Sequence, residues 1–203
     1  MPIPRAVIDA DVLYRRHPRN LLVWHALAGL FELHWSVRIL DETRRHLTER
    51  NIAKLREPRA EAVDRTLARV TDALERARAG SLVPDAGIAA HEPHMPNEPK
   101  DRHVLAAAVA VGATVVITTN VRDFAGADTA GLGVAAQTPD QFLTSLLDNI
   151  TLDAVMAALR EHASFHGWTL AELLKLLETA TPDRPAIAPD YTKRIIELSR
   201  GGP

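Results

Sequence analysis

The residues in this chain that could do chemistry are acids, and they stand where acids are costly. VIDADVL, residues 7–13, is an apolar run that delivers Asp9 and Asp11 and then turns apolar again. Glu42 follows in DETRRHL, Asp101 in KDRHVL, and TTNVRDF supplies Thr118, Asn120 and Asp123. A lone Asp or Glu is usually a solvated surface group. Two of these have ordinary readings, Asp101 as a charge favoured by a helix N-terminus and Glu42 as part of a salt-bridged helix face. Asp9 is different, because the residues before it belong in a core. Two carboxylates about 5 Å apart repel by roughly 3 kcal/mol at an effective dielectric of 20, so four brought together need protons or a cation. All-oxygen ligands, in a chain without cysteine, suit a hard ion, Mg²⁺ with Mn²⁺ as the alternative. Such an ion keeps positions for waters and phosphate oxygens, and the chemistry implied is phosphoester hydrolysis.

The acids meet only if strands and helices carry them to one edge. Ala6 to Asp9 predicts a short buried strand, Asn20 to Leu33 an apolar-rich helix, and Ser36 caps a helix over residues 37–51. Pro58 begins another helix, with Val63, Leu67, Val70, Leu74 and Ala77 as its core stripe and Gly80 as its stop. SLV at 81–83 is a candidate strand before a Pro-rich loop, PDAGIAAHEPHMPNEP. DRHVLAAAVAVGATVVITTN predicts a helix closed at Gly112 and a β-branched strand, Thr114 to Thr118. Gly133 to Ala136 is a last candidate strand, and Thr138-Pro139 starts a helix. Strands alternating with helices imply an α/β fold with a parallel sheet. In such sheets ligands bind beyond the carboxyl ends of the strands, where Asp9, Asp11, Thr118, Asn120 and Asp123 fall; Asp101 opens the helix that leads back into that sheet.

After Asn149 the pattern is helical only: TLDAVMAALREHASF, TLAELLKLLETA, a proline-rich linker TPDRPAIAP and a last helix at 190–199. The expected division is an α/β domain over residues 1–148 and a helical extension over 150–203 that binds a partner or covers the core. The 203 residues are 46% hydrophobic and 25% charged, globular values. A net charge of -2 makes any nucleic-acid footprint local. Lack of cysteine, of a signal-peptide pattern and of a membrane-length apolar run predicts a soluble, cytoplasmic protein.

Two known patterns compete for the first acids. DADVL fits the DxDxV opening of haloacid-dehalogenase-type phosphatases, in which Asp9 would be the nucleophile and Asp11 the acid/base, with Thr118 or Thr119 after the second strand. That family then needs a lysine and an acidic pair, but Lys100 precedes the strand and the next lysine is Lys175. The order VIDADVL, ILDETRRHL, KDRHVLAAAVAVGATVVITTNVRDF resembles the PIN-domain ribonucleases, and the chain as a whole looks like a VapC-type toxin of a toxin–antitoxin pair, in a longer subgroup with a helical C-terminal extension. The resemblance covers about the first 140 residues. It implies a three-layer α/β/α fold, a Mg²⁺-dependent endoribonuclease, and Asp9, Glu42, Asp101 and Asp123 as the catalytic, metal-holding acids, with Thr118 and Asn120 as polar neighbours. Its partners would be RNA, an antitoxin whose peptide blocks the acidic cleft, and often a second copy of the chain. Position 11 is more often a neutral polar residue in that family, so Asp11 is an extra ligand or an orienting group. Asp41 stands beside Glu42, and the spacing to Leu47 favours Glu42. A non-catalytic module that keeps the fold is the third alternative.

Arg15, Arg16 and Arg19 with His17, and Arg44 with Arg45, follow the acids closely and are candidate RNA phosphate contacts, against an ordinary solvated helix face. Aromatic residues are 4% of the chain, which argues against a broad base-stacking platform. His162 and His166, and His91 and His94, lack a third ligand at metal spacing and read as packing or surface groups. His103, two residues after Asp101, reads as a helix-surface or orienting residue. GLGVAA opens no long helix, and the Asn149-Ile150-Thr151 sequon has no export signal to make it a glycosylation site.

Overall fold

Ala6, Val7 and Ile8 are wholly buried and form strand β1 (Arg5–Ile8) at the centre of a four-stranded parallel sheet. The structure is a computed structural model and describes residues 3–53, 60–77, 81–124, 131–181 and 185–201. Strand order is β2-β1-β3-β4, with β2 (Glu32–His34), β3 (Val115–Ile117) and β4 (Ala135–Gln137). Val7 lies opposite His34 on one side and Val116 on the other. Short helix α1 (Ala10–Leu13) leaves the end of β1 and leads into α2 (Arg16–Leu27). Helices α3 (Val37–Ala53), α4 (Ala60–Ala77), α5 (Asp85–His91) and α6 (Arg102–Ala110) fill the crossover from β2 to β3. Helix α7 (Pro139–Leu146) begins at a capping box between Thr138 and Gln141, as the Thr-Pro pair predicts. The α/β/α fold with added C-terminal helices is the one expected from the sequence.

Three elements differ from expectation. The helix expected to reach Leu33 stops at Leu27, because Gly29 takes φ +73 and closes a Schellman turn, with Leu30 N–H donating to the His25 carbonyl and Gly29 N–H to Ala26. The chain then forms β2, whose buried Glu32 is held by Arg5 Nε at 3.0 Å from the neighbouring strand. The Pro-rich stretch expected to be loop forms α5 and a 3₁₀ turn, Glu92–His94. SLV makes a single parallel bridge, Trp35 to Leu82, rather than a strand. The expected helix start at Pro58 and stop at Gly80 lie outside the described residues.

The C-terminal helices α8 (Leu152–Phe165), α9 (Leu170–Glu178) and α10 (Pro189–Ser199) share the core of the sheet domain. Helix α8 packs on α2 and α10 on α7. Leu159, Leu173 and Tyr191 are buried there, and the Tyr191 hydroxyl meets His25 Nε2 while His25 Nδ1 faces the Leu21 carbonyl. Burial holds His25 at about 4 against an ordinary 6.5. Burial, with the charges of His166, His25 and His17, holds His162 at about 3.

Acid should therefore weaken this junction. Above pH 6.5 both histidines are neutral folded or unfolded; below it the unfolded chain takes up protons that the native state refuses. Stability is lost as pH falls from about 6.5 towards 4, at about 1.4 kcal/mol per pH unit for each histidine. Thermal melts at pH 7.5 and 5 should show a smaller acid loss for His162→Gln than for the parent chain; equal losses would remove His162 from this account.

Candidate functional site

Strand order reverses between β1 and β3: the chain leaves β1 for β2 on one side and returns to β3 on the other. A crevice at the carboxyl ends of these two strands follows from that reversal, and the first acids sit in it. Asp9 ends β1 and caps α1, its Oδ1 accepting from Ala10 N–H at 2.6 Å. Thr118, directly after β3, donates its hydroxyl to Asp9 Oδ2 at 2.8 Å and accepts from Asn120 N–H at 3.0 Å. Asp11 Oδ2 accepts from the Thr119 N–H at 2.8 Å and from the Thr119 hydroxyl. Asp11 Oδ1 is buried with no hydrogen-bond partner among the described residues. Asp9 and Asp11 are only 6% and 8% exposed.

A second group of charges arrives from α3, the start of α6 and the turn after β3. Asp101 ends a 3₁₀ turn, Pro99–Asp101, and Asp123 lies in another, Val121–Phe124. Lys100 Nζ sits 3.0 Å from Asp123 Oδ2 and 3.6 Å from Asp101 Oδ2. Glu42 Oε2, on α3, is 3.4 Å from His103 Nε2. Asp41, its neighbour, is exposed. His103 is fully buried, with Nδ1 3.1 Å from the Lys100 carbonyl, so the helix-surface reading of this residue is wrong.

The charges act on one another across the two groups. Burial, then the Asp11 charge and more weakly Asp101, push Asp9 up to about 7 against the hydrogen bonds from Thr118 and Ala10. Burial also raises Asp101, with Asp123 and Glu42 adding and Lys100 and His103 opposing. Burial works to raise Glu42 as well, but its contact with His103 and the charges of Arg45 and His46 outweigh that and hold it below the usual range. Of the arginines, Arg15 Nε donates to the Asp11 carbonyl at 2.9 Å, Arg16 and Arg45 are exposed, and Arg44 pairs with Asp64. Arg19 donates to the Leu13 carbonyl at 2.9 Å and is held in the framework.

Among the described residues no three acids or histidines stand close enough together to hold a metal ion. The donor set nonetheless fits a hard cation. It offers oxygens only, Asp11 Oδ1 is buried and unpartnered, and Asp9 resists ionising because of burial and its acidic neighbours, a cost that a cation would relieve. Sequence reasoning missed Lys100 as the cation between two acids and Thr119 as the anchor of Asp11. The adjacency of Lys100 to Asp101 was the available signal for the first, and the doubled threonine for the second.

A parallel sheet with Asp9 and Asp11 buried at its switch point defines the class, an α/β domain with an acidic crevice. A family model described as PIN domain matches residues 5–122, more than half of the 203-residue chain, and the chain belongs to the PIN-domain family. PIN domains are generally metal-dependent nucleases acting on RNA and typically bind Mg²⁺ or Mn²⁺, which supports a nuclease-type hydrolase at that level. The match takes in Asp9, Glu42, Asp101, Thr118 and Asn120 and stops one residue before Asp123. No curated protein and no solved structure matches the chain. No helix among the described residues is long and apolar enough to cross a membrane.

Proposed function

We propose that the protein is a Mg²⁺-dependent endoribonuclease, hydrolysing RNA phosphodiester bonds, and the toxin of a type II toxin–antitoxin pair. The observation that carries the nuclease reading is Asp9: a carboxylate buried at the β1/β3 crevice, fixed on both oxygens and charged only at a cost imposed by burial and Asp11. Asp9, Glu42, Asp101 and Asp123 would hold Mg²⁺ or Mn²⁺, directly or through water. A bound ion supplies an activated water and shields the charge of the scissile phosphate. Thr118 fixes the rotamer of Asp9, Asn120 fixes Thr118 through its backbone, and Thr119 does the same for Asp11. Arg15, Arg16 and Arg45 border the acids as phosphate contacts, while Arg44 must first leave Asp64. The toxin reading rests on the motif order and the helical extension, and it implies an antitoxin partner, with a second copy of the chain as a candidate partner.

Purified protein should cut RNA with Mg²⁺, stop in EDTA and recover with Mg²⁺ or Mn²⁺. Its expression alone should arrest growth, and co-expression of a small DNA-binding protein encoded beside it should relieve the arrest. Cleavage indifferent to EDTA would sink the metal reading. A phosphoenzyme trapped on Asp9 with small phosphoesters would replace it with the phosphatase alternative.

A further inference from the structure

Aromatic residues are scarce in this chain, yet three of them meet two histidines where α2 faces α8. Trp24 stacks on His162 with ring centres 5.9 Å apart and meets Phe165 at 5.3 Å. Phe165 meets His166 edge-on at 5.2 Å, and His166 stacks on Trp168 at 4.7 Å. Trp168 is brought back to His166 by Gly167, whose φ of +69 closes a Schellman turn after α8, with Trp168 N–H donating to the Ala163 carbonyl. Trp168 packs partly against the core, but packing does not account for Phe165, which is 72% exposed. Trp24, His166 and Trp168 are half-buried, and His162 Nδ1 is buried without a hydrogen-bond partner among the described residues.

A second observation connects this face to the acids. Arg16, exposed at the start of α2, lies close enough for its charge to act on His166, where it adds to burial in lowering that ring's proton affinity. The preceding residue, Arg15, is tied to the carbonyl of Asp11 and lies over the Tyr14 ring at 5.2 Å. Of these two consecutive arginines, one thus lies at the Asp11 backbone and the other within reach of His166. An exposed ring among half-buried ones, bordered by a cation, suits bases and their phosphates, since every base has a π-face and the strand carries one charge per nucleotide.

We infer that the Trp24–Phe165–His166–Trp168 face is a base-stacking subsite that holds single-stranded RNA beside the carboxylate crevice. The inference rests on the nuclease reading for its ligand but not for its test. It also gives the helical extension a part in substrate binding, and it replaces the broad stacking platform excluded by composition with a local one.

Binding is measured with the full chain in EDTA, where the proposed nuclease is inactive. Trp35 is 2% exposed, so quenching of tryptophan fluorescence reports on Trp24 and Trp168. A short single-stranded oligoribonucleotide should quench it. An abasic strand with the same phosphates, and the same sequence held in a duplex, should bind about tenfold or more weakly. Phe165→Ala and Trp168→Ala should each weaken the single strand about tenfold, and Trp168→Phe should restore most of the loss. Equal affinity for the abasic strand, or unchanged affinity in both alanine variants, would overturn the subsite. So would a dimer, seen by sedimentation, that Phe165→Ala dissociates while RNA binding is unchanged, because the face would then be an interface between copies. Mg²⁺-dependent cleavage is assayed separately: quenching without cleavage leaves the subsite and removes the nuclease reading, and cleavage without quenching does the reverse.

Discussion

Asp9→Asn is expected to abolish RNA cleavage and, in EDTA at pH 8, to melt higher than the parent protein. Asparagine keeps an oxygen for the Ala10 N–H but carries no charge, so repulsion from Asp11 and Asp101 disappears. Asp9 titrates at about 7 when folded against an ordinary 3.8, and the sign follows: above pH 7 the native state bears a charge that the unfolded chain carries freely. The penalty is at most on the order of 4 kcal/mol, shrinks as pH falls through 7 and is gone below 3.8, where the acid is neutral in both states. That ceiling already contains the Thr118 and Ala10 hydrogen bonds, which favour the charged form. A gain of only about 1–2 kcal/mol raises the melting temperature by a few degrees in a chain of this size. Asp101→Asn should lose cleavage too, with a smaller thermal gain because Asp101 is less buried. Adding Mg²⁺ should raise the melting temperature of the parent and leave Asp9→Asn nearly unmoved. Normal cleavage by either variant, or a melting temperature for Asp9→Asn below the parent in EDTA at pH 8, would remove these acids from the site.

How much of this could be read from the sequence depends on how local the cause was. β1 and β3 were readable because VI before Asp9 and VVI before Thr118 are short β-branched runs, and the crevice between them followed from the rule that ligands gather at strand ends. β2 was not, because ELH presents Glu32 and His34 as surface residues; Glu32 is buried because Arg5, 27 residues away, compensates its charge, and His34 is buried beside it. Alanine at 86, 89 and 90 makes a helix of α5 that the flanking prolines concealed. In the site, the grouping of Asp9, Glu42, Asp101 and Asp123 is what the family resemblance implies, and it does not say what neutralises them. Lys100 on Asp123, Thr119 on Asp11 and His103 against Glu42 join side chains far apart in the chain, and only the Lys100-Asp101 adjacency and the doubled threonine hint at the first two. The ring cluster is the same case: Trp24 and Phe165 belong to helices that only the folded core brings together.

The chemistry of the cut ends separates the carboxylate reading from a metal-free ribonuclease. A histidine acting as general base on the RNA 2′-hydroxyl leaves a cyclic phosphate and works in EDTA, and it must come within hydrogen-bonding reach of that hydroxyl. His103 is the histidine nearest the acids in sequence, but its ring is 0% exposed and lies between the Lys100 carbonyl at 3.1 Å and Glu42 at 3.4 Å. Neither nitrogen faces an open approach for substrate: Nδ1 meets the Lys100 carbonyl, and Nε2, without a hydrogen-bond partner among the described residues, lies beside Glu42. Hydrolysis by an activated water needs no 2′-hydroxyl, so the products should carry a 3′-hydroxyl and a 5′-phosphate. His103→Ala should keep those ends. Its cost should appear as a lower melting temperature, from the buried space left behind, and as a higher Mg²⁺ concentration for half-maximal rate, because Glu42 is less well held. A DNA–RNA chimera with a single 2′-deoxy sugar at the scissile position provides the direct comparison: it should be cut if water is the nucleophile and resist if the 2′-hydroxyl is. Cyclic-phosphate ends formed by the purified protein in EDTA, and lost in His103→Ala, would make His103 the base and leave the acids a structural role.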